Sequence, residues 1–505
     1  MDASISGSAW LDVQLPTFPA LSEDLAVDVL IVGGGLTGIT TAYLMSLEGI
    51  RVALVERDRL ACADTARTTA HLTYVTDERL HRLAEKFGTE AAVACWKAGE
   101  LAIDTIEDIC KATGADAQFV RVPGHLHTPV GGDPAKHVKD LQRDAELAAQ
   151  FGFDVTFMDT LAPMQQPAVR FQRQAKFHPR RYLRALLPII ERHGGRIFEK
   201  TAFEGISDDA MTARVNGHSI SCRYLVIATH NPLMGKRGVL GATLFQTKLS
   251  LYTSYVLGAR LPAGTLPEAL FWDTQDPYEY LRVEAAPDHQ WVIFGGSDVK
   301  TGQESDTNDV FLRLQARLQT ILPRAVVERR WMGQVVETDD GLPFMGENDD
   351  REFIATGFCG NGFTFGTLAA MMARDRFLGR ENAWQSLFET SRPPFHGGTW
   401  RYLRENADFP YYFIRDRLQR VTEELDDVPK GEGRIVNHAG RKVAAYRDAH
   451  GAVTLLSNQC THLRCLVHWN RADSTWDCPC HGSRFRPTGE VLSGPAESPL
   501  EKLDA

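Results

Sequence analysis

The sequence predicts an α/β chain that also carries an antiparallel sheet and ends in a small all-β domain. Three observations support this fold class. An apolar strand, a G-x-G-x-x-G turn and an amphipathic helix follow one another over residues 28–48, which is the order of a dinucleotide-binding unit. Residues 240–300 contain several apolar segments of strand length. From about residue 428 the chain consists of short strand-like segments separated by tight turns.

The composition is that of an ordinary globular protein. The chain has 505 residues, of which 43% are hydrophobic and 24% charged, and this length predicts about three domains, or two of which one is large. A net charge of −10 argues against a nucleic-acid partner, because a phosphate backbone requires a basic surface. Residues 1–26 form an arm without a signal-peptide pattern, and the apolar run Val27–Val32 is too short to cross a bilayer. We therefore expect a cytoplasmic protein without a membrane span.

The dinucleotide fingerprint is complete in its order. The strand at 28–32 leads into a turn whose glycines are Gly33, Gly35 and Gly38, and the next strand ends in Glu56. Glycines permit a tight turn and let backbone N–H groups approach a pyrophosphate at the helix N-terminus. An acid 23 residues after Gly33 is close to the spacing expected for a group that binds the adenosine ribose. The pattern predicts FAD or NAD.

The stretch from residue 62 to residue 73 favours FAD over NAD. It is a polar segment that we expect to enter a helix, whereas a plain NAD domain would continue into another βαβ unit. Arg67, Thr68 and Thr69 offer donors at the expected helix start, where the pyrophosphate and ribityl chain of FAD would lie. The alternative is a solvated helix cap. His71 lies in the same segment and is a candidate for a position near the flavin ring.

A second glycine-rich region follows near residue 340. The segments T-D-D-G-L-P-F-M-G (338–346) and A-T-G-F-C-G-N-G-F-T-F-G-T (355–367), together with the fingerprint, resemble the D-amino-acid-oxidase-like (glycine-oxidase-like) FAD-dependent oxidoreductases. The resemblance implies that this turn and the following helix cover the flavin ring. Glycines let the backbone approach a flat ligand closely, and a helix N-terminus places a positive dipole end beside it. The candidate flavin-binding residues here are Gly341, Gly357, Gly360, Gly362 and Thr364.

The resemblance also implies the bounds of the oxidoreductase domain, residues 27–372. Its FAD-binding parts are expected at about 27–75, 175–235 and 330–372, and its substrate sheet at about 240–300. Hydrophobic periodicity predicts helices within this domain at 78–112, 134–151, 177–192 and 307–323. A strand is expected at 196–203, a hairpin turn at Asn216-Gly217, and a strand that returns to the dinucleotide-binding sheet at 224–230.

The substrate sheet supplies further candidate catalytic residues. Its expected strands are 249–257, 270–272, 278–283 and 291–296. In the resembling family this sheet covers the reacting face of the flavin, and here it would offer Tyr278, Tyr280, Arg282 and Lys300 to a substrate. An arginine guanidinium is a natural clamp for a carboxylate, although a structural ion pair is an equal alternative for Arg282. The catalytic candidates are therefore His71, Tyr278 and Arg282, and no general base is identified.

Residues 373–426 depart from the oxidoreductase pattern. An irregular linker around Pro393-Pro394 precedes two segments, 400–406 and 413–425, that have the pattern of helices. Three consecutive aromatic residues, Tyr411-Tyr412-Phe413, favour an extension that docks the last domain over a free tether.

Two boxes of cysteine and histidine lie in the last domain, expected at 427–505. They are C-T-H-L-R-C at 460–465 and C-P-C-H-G-S at 478–483. Two thiolates and two imidazoles are the ligands of a Rieske [2Fe–2S] cluster. Zinc is an alternative, because it also binds cysteine and histidine at similar spacings. The strands expected around the boxes are 433–436, 441–447, 452–457 and 490–492.

Both boxes resemble the Rieske family almost letter for letter. The resemblance implies four metal ligands, one disulfide and one hydroxyl that donates to a cluster sulfide: Cys460, His462, Cys478 and His481; Cys465 with Cys480; and Ser483. The disulfide pair is typical of respiratory-type rather than oxygenase-type Rieske domains. Phe485 stands where high-potential members often have tyrosine, so we expect a somewhat lower reduction potential.

Two redox sites in one chain predict an electron-transfer circuit. We expect an FAD-dependent oxidoreductase that oxidises a C–N bond of an amine or amino acid, with electrons passing through the cluster to an external acceptor or electron-transfer protein. The alternatives are a reductase module that feeds a separate oxygenase, and an oxidase whose cluster is structural or regulatory. A Rieske oxygenase in one chain ranks last, because no close histidine pair with a following carboxylate lies outside the cluster.

Overall fold

A six-stranded sheet forms the centre of the N-terminal body in the computed structural model, which describes residues 7–207, 210–231, 245, 247–393 and 408–504. The sheet is parallel except for its first pair of strands. Three central strands are buried along their whole length, which is why they consist almost entirely of Val, Ile, Leu and Ala. In spatial order the strands are Phe344–Asp349, Glu352–Thr356, Tyr224–Ile227, Val29–Val32, Val52–Val55 and Arg196–Phe198.

Helices cover this sheet. Leu36–Leu47 packs against Gly362–Phe377 and Pro179–Arg192, all three within the main hydrophobic core. The single helix expected at 78–112 is divided at Gly88, whose φ of +85° lies in a region that suits only glycine. The other described helices are Asp64–Arg67, Leu80–Phe87, Thr89–Thr113, Val138–Gln150, Thr307–Ile321 and Asp408–Leu418, and short 3-10 helices lie at Ala9–Asp12, Pro134–Lys136, Gln385–Leu387 and Leu425–Asp427.

A nine-stranded sheet lies beside the first and is larger than the sequence predicts. It includes the four expected strands at 249–300 but also five that were not expected, 120–127, 155–161, 166–176, 326–338 and 71–72. The first of these contains a proline and a glycine, and the second is largely exposed, so neither shows an apolar run. In order the strands are Val326–Thr338, Leu249–Pro262, His289–Lys300, Tyr280–Ala285, Leu270–Asp273, Val120–His127, Gln166–Lys176 and His71–Leu72, with Val155–Leu161 paired on Gln166–Lys176.

A small four-stranded sheet contains the expected hairpin. Asn216 and Gly217 have φ of +52° and +77°, as a two-residue type I′ turn requires. The strand expected at 196–203 is instead two strands in different sheets, because the chain turns at Lys200, where φ is +51°. The strands of the small sheet are Leu25–Ala26, His218–Ser221, Thr212–Val215 and Phe203–Ser207.

The C-terminal part consists of two small antiparallel sheets. One contains Glu432–His438, Arg441–Arg447 and Val453–Ser457, and the other contains His468–Asn470, Thr475–Asp477, Arg484–Phe485 and Val491–Ser493. The two cysteine and histidine boxes lie in the loops that precede and interrupt the second sheet.

The helix Asp408–Leu418, hereafter the docking helix, joins this C-terminal part to the nine-stranded sheet. Asp408 pairs with Lys300, and Asp416 Oδ2 lies 2.9 Å from His468 Nε2. The helix expected at 413–425 is therefore displaced toward the N-terminus, where Pro410 occupies its first turn, a place that tolerates proline. The helix expected at 400–406 lies outside the described residues. None of the helices in the described ranges is long and apolar enough to cross a membrane.

Candidate functional site

One cavity, of about 370 Å³, lies between the six-stranded and nine-stranded sheets. Eight of the predicted FAD-binding residues line it, together with the catalytic candidates His71 and Tyr278. Residues 492–494 and Glu497 of the C-terminal part also belong to its wall. The eight are Gly33, Gly35, Glu56, Arg67, Thr68, Thr69, Gly360 and Gly362.

Four other predicted FAD-binding residues lie behind the wall and shape it. A Cβ on Gly38 would lie 1.9 Å from the carbonyl oxygen of Gly33, so this glycine lets the first helix approach the first strand. Gly341 and Gly357 have positive φ and no space for a Cβ, and the Thr364 hydroxyl donates to the carbonyl of Thr73 at 2.9 Å. These residues support the cavity rather than contact its contents.

The fingerprint turn has the geometry that a dinucleotide requires. Gly33 has φ of +109°, and a Cβ there would lie 2.5 Å from the carbonyl oxygen of Ala228. The carboxylate of Glu56 accepts hydrogen bonds from the backbone N–H groups of Gly34 at 2.8 Å and Asp58 at 2.7 Å. Burial raises the pKa of Glu56, and these N–H groups oppose that rise. Glu56 is thus fixed in orientation at the cavity, where the ribose is expected.

Two helix N-termini open onto the cavity. The helix Leu36–Leu47 begins after Gly35 and the helix Gly362–Phe377 begins after Asn361, and neither has a side-chain cap. Residues at both starts line the cavity. The N–H of Leu36 donates to the Thr65 hydroxyl at 3.2 Å. The other N–H groups of these helix starts and the positive dipole end suit a pyrophosphate and the polar edge of a flavin. The cavity residues therefore fit FAD.

The position of Arg67, Thr68 and Thr69 differs from the sequence expectation. The helix at Asp64–Arg67 ends at these residues instead of starting there. Arg67 pairs with Asp473 of the C-terminal part, so its side chain joins the two parts of the chain while still lining the cavity.

Arg282 is not the substrate clamp that the sequence suggests. Its guanidinium donates to the carbonyls of Thr69 and Ala70 and of Phe177 at 2.6–2.9 Å and pairs with Glu284. Arg282 is 2% exposed and lies outside the cavity lining, because the segment at 69–70 crosses its strand and covers it. The structural alternative is correct for this residue. Lys300 is likewise occupied by a structural contact, because it forms an ion pair with Asp408.

The candidates His71 and Tyr278 do come together in the cavity, with Tyr280 between them. The His71 and Tyr280 ring centroids are 5.5 Å apart, and those of Tyr278 and Tyr280 are 5.8 Å apart. Burial, with a smaller contribution from Arg282, lowers the pKa of His71 to about 3, so its imidazole is neutral near pH 7. Its Nδ1 lies 3.0 Å from the Thr69 hydroxyl, and its Nε2 has no hydrogen-bond partner among the described residues.

Two carboxylates at the same end were missed by the sequence reasoning. Asp77 accepts a hydrogen bond of 3.2 Å from the Tyr278 hydroxyl. Asp298, on the strand His289–Lys300, also lines the cavity. Burial is the main reason that the pKa of Asp298 rises to about 6 and that of Asp77 rises well above its usual value. Neither acid belongs to a local motif, so only the fold reveals them.

The cysteine and histidine boxes converge as a [2Fe–2S] cluster requires. Cys460 and Cys478 are 1% and 2% exposed, and the His462 and His481 ring centroids are 5.0 Å apart. Burial lowers the pKa of both histidines to about 4, so the imidazoles are neutral, the form that binds metal. His462 Nε2 is buried without a partner among the described residues. The donor set of two thiols and two imidazoles fits the cluster.

The supporting residues of the second box are also in place. The Sγ atoms of Cys465 and Cys480 are 2.09 Å apart, as the predicted disulfide requires. Ser483 is fully buried, and its hydroxyl accepts a hydrogen bond of 3.0 Å from the backbone N–H of Ala496. Its hydroxyl hydrogen is therefore directed away from Ala496, which suits the predicted bond to a cluster sulfide.

Gln334 connects the cavity with the second box. It lies on the strand Val326–Thr338 and lines the cavity. Its side-chain NH₂ donates to the carbonyl of Gly482 at 2.8 Å, and its side-chain carbonyl accepts from the Ser493 hydroxyl at 2.6 Å. Gly482 directly follows the predicted ligand His481. The cavity and the second box therefore share one wall.

A chain of charged side chains forms a second connection. Arg67 in the cavity wall pairs with Asp473, which accepts from Arg484 at 2.7 Å. Arg484 also pairs with Asp477 at 3.1 Å, and Asp477 directly precedes Cys478. Arg484 and Asp477 are buried, so each charge needs the other.

Comparisons with known proteins agree with both sites. The DAO family model, described as FAD dependent oxidoreductase, matches residues 28–376, and the model of the Rieske [2Fe-2S] domain matches residues 420–504. The Bacillus subtilis (strain 168) protein YhfW, whose name describes a Rieske 2Fe-2S iron-sulfur protein, is 33% identical over 497 residues, 97% of this chain and 96% of that protein.

Two further relatives match the oxidoreductase part. Gamma-glutamylputrescine oxidoreductase of Escherichia coli (strain K12) is 22% identical over 426 residues, 79% of this chain and 95% of that protein. The crystal structure of glycine oxidase from Geobacillus kaustophilus has a TM-score of 0.61 at 19% identity, over 73% of this chain and 99% of that one. The chain therefore belongs to the FAD dependent oxidoreductase (DAO) family, and it carries a C-terminal Rieske [2Fe-2S] domain.

Proposed function

We propose that this protein oxidises a C–N bond of an amine or amino acid and passes the electrons through the Rieske cluster to an external acceptor. The substrate loses a hydride from carbon and a proton from nitrogen, and water hydrolyses the resulting imine to a carbonyl compound and either ammonia, from a primary amine, or an amine, from an N-substituted one. Bound FAD supplies the two-electron acceptor, and the cluster carries one electron at a time. The names of relatives, gamma-glutamylputrescine oxidoreductase and glycine oxidase, support a C–N substrate.

The observation that carries the proposal is the position of Gln334. This side chain lines the cavity and donates to Gly482 beside the predicted ligand His481. An oxidase with a purely structural cluster has no need to place its cluster box on the wall of the flavin cavity. The shared wall instead supports short-range transfer between the two centres.

The residues of the chain prepare the cavity for this reaction. His71 lines the cavity and is neutral near pH 7, so it does not repel a bound amine. Burial raises the pKa of Tyr278 well above its usual value, so its hydroxyl remains protonated and acts as a donor. The two sheets and residues 492–494 form the walls of the site.

Anaerobic mixing of the holoenzyme with a panel of amines and amino acids tests the proposal. Flavin absorbance and the EPR signal of the reduced cluster are followed together. We expect a true substrate to bleach the flavin first and the cluster signal to appear afterwards. Bleaching without any cluster signal would favour an oxidase with a structural or regulatory cluster. Rapid reduction by NAD(P)H alone would favour a reductase module.

Replacing Gln334 with alanine is expected to slow cluster reduction about 30-fold, because the two hydrogen bonds to Gly482 and Ser493, each worth about 1 kcal/mol, are lost from the shared wall. Flavin bleaching by substrate should keep its rate. The measurement is stopped-flow absorbance at flavin and cluster wavelengths.

Gln303→Ala is the matched control for this variant. Gln303 also donates to a carbonyl of the second box, that of Pro479 at 3.1 Å, but it lies outside the cavity lining. We expect the Gln303 variant to slow cluster reduction much less. Equal rates in wild type and the Gln334 variant would show that the contact plays no part in electron transfer.

A further inference from the structure

The charged side chains of the cavity indicate which class of substrate it binds. This inference rests on the proposed oxidation of a C–N bond. We propose that the substrate is a diamine or polyamine, whose second, protonated nitrogen binds the carboxylates of Asp77 and Asp298. A free α-amino acid does not suit this site.

Acidic side chains gather at one end of the cavity. Asp77, Asp298 and Glu337 all line it. A Cβ on Gly360 would lie 2.8 Å from Asp77 Oδ2 and 2.9 Å from the Tyr278 hydroxyl, so these groups face the candidate flavin-binding turn. Asp77 is exposed to the cavity yet enclosed by protein, and burial followed by repulsion from Glu337 raises its pKa. A cation bound here would relieve both penalties.

The arginine side chains that line the cavity already form an ion pair or a hydrogen bond with the C-terminal part. Among the described residues, the arginines that line the cavity are Arg57 and Arg67, and no described lysine does. Arg67 pairs with Asp473, and Arg57 donates to the carbonyl of Leu492 at 3.2 Å, so both point to the C-terminal domain. Arg282 is covered. A substrate carboxylate would thus meet acids and no free cation in the described wall, which is costly in an enclosed site.

Two further features suit an ammonium group. Asp298 Oδ1 is buried and makes no hydrogen bond among the described residues, and apart from a stabilising interaction with the Ser254 side chain the carboxylate has capacity for a further donor. Tyr278 and Tyr280 form a tilted aromatic pair beside it, with centroids 5.8 Å apart. Aromatic ring faces attract cations, most strongly where water is excluded.

The chemistry of oxidation indicates which nitrogen the acids hold. The nitrogen of the reacting C–N bond must be unprotonated before the neighbouring carbon gives up hydride. Carboxylates stabilise the protonated form of any amine they contact. They are therefore unsuited to the reacting nitrogen and suited to a second one, while neutral His71 can face the reacting nitrogen. This division predicts a substrate with two amine nitrogens.

Three compounds, two amines and one amino acid, test the inference on the anaerobic holoenzyme: 1,4-diaminobutane, 1-aminobutane and glycine. We expect flavin bleaching by 1,4-diaminobutane with a kcat/KM at least about tenfold above that of 1-aminobutane, which lacks the second ammonium, and higher still above glycine. A larger kcat/KM for glycine or for 1-aminobutane would overturn the inference and leave C–N oxidation standing. If no amine or amino acid of a broad panel bleaches a flavin that dithionite reduces, the proposed function itself fails.

Variants identify the residues. Asp298→Asn and Asp77→Asn are expected to raise KM for 1,4-diaminobutane about tenfold or more and to change kcat/KM for 1-aminobutane much less. Asp288→Asn is the control, because this exposed aspartate lies outside the cavity. FAD content of each purified variant reports on folding. Unchanged KM for the diamine in both cavity variants, with FAD bound, would overturn the assignment.

Discussion

Cys478→Ser is expected to abolish turnover with one-electron acceptors, by more than about 100-fold, while substrate still bleaches the flavin. Cys478 opens the second box, is 2% exposed and supplies a thiolate that serine cannot replace as an iron ligand. Without the cluster, electrons that reach the cavity have no route along the shared wall. EPR of the reduced protein, iron content and steady-state turnover with ferricyanide measure the two effects separately.

Cys222→Ser provides the matched control for this prediction. Cys222 is also a buried cysteine outside the disulfide, but it packs in a separate core cluster beside the small four-stranded sheet. We expect this variant to retain cluster, flavin and turnover. His462→Ala serves as a second cluster variant if the Cys478 variant does not retain FAD. Persistent turnover with the acceptor in a folded, cluster-free variant would show that electrons leave by another route.

Gly38→Ala is expected to prevent stable FAD binding and to lower the free energy of unfolding by about 3 kcal/mol or more. The new Cβ would lie 1.9 Å from the carbonyl oxygen of Gly33, which is backbone and cannot rotate away. The helix Leu36–Leu47 would have to move off the strand Val29–Val32, and its N-terminus would leave the position that suits the pyrophosphate. FAD content and the thermal unfolding midpoint measure the result.

Gly362→Ala tests whether a side chain at this position weakens FAD binding without destabilising the protein. Nothing lies within 4 Å of a Cβ at Gly362, and alanine favours a helix over glycine by about 1 kcal/mol. We expect the apoprotein of this variant to be at least as stable as wild type. FAD affinity should nevertheless fall, because Gly362 lines the cavity.

Full FAD occupancy with an unchanged thermal unfolding midpoint in the Gly38→Ala variant would contradict the expected clash between the helix Leu36–Leu47 and the strand Val29–Val32.

Contiguous motifs could be predicted from the sequence. The turn at 33–38 and the boxes at 460–465 and 478–483 need only local spacing, because each motif brings its own residues together in the fold. The α/β class followed from the apolar runs of the buried strands. Residues that meet across the fold could not be predicted. Asp77 follows a two-residue strand and Asp298 lies on a distant one, and an isolated aspartate carries no signal of its own.

Arg282 is a residue for which the sequence suggests a role in substrate binding that the structure contradicts. An arginine on a strand of the substrate sheet is visible in the sequence, but the crossing of residues 69–70 over it is not. The same limit applies to Gln334, whose role depends on the docked position of Gly482. Local pattern identifies a residue type, whereas its partner decides whether it binds substrate, backbone or another domain.

The C-terminal stretch 492–494 completes the wall of the dinucleotide cavity, and this has a consequence for maturation. Asn231 of the oxidoreductase part donates to the carbonyl of Gly494 at 3.2 Å, and Arg57 donates to that of Leu492, so the stretch is held against the cavity. We therefore expect FAD binding to stabilise the docked position of the iron–sulfur domain during maturation, because a dinucleotide in this cavity would contact both parts of the chain.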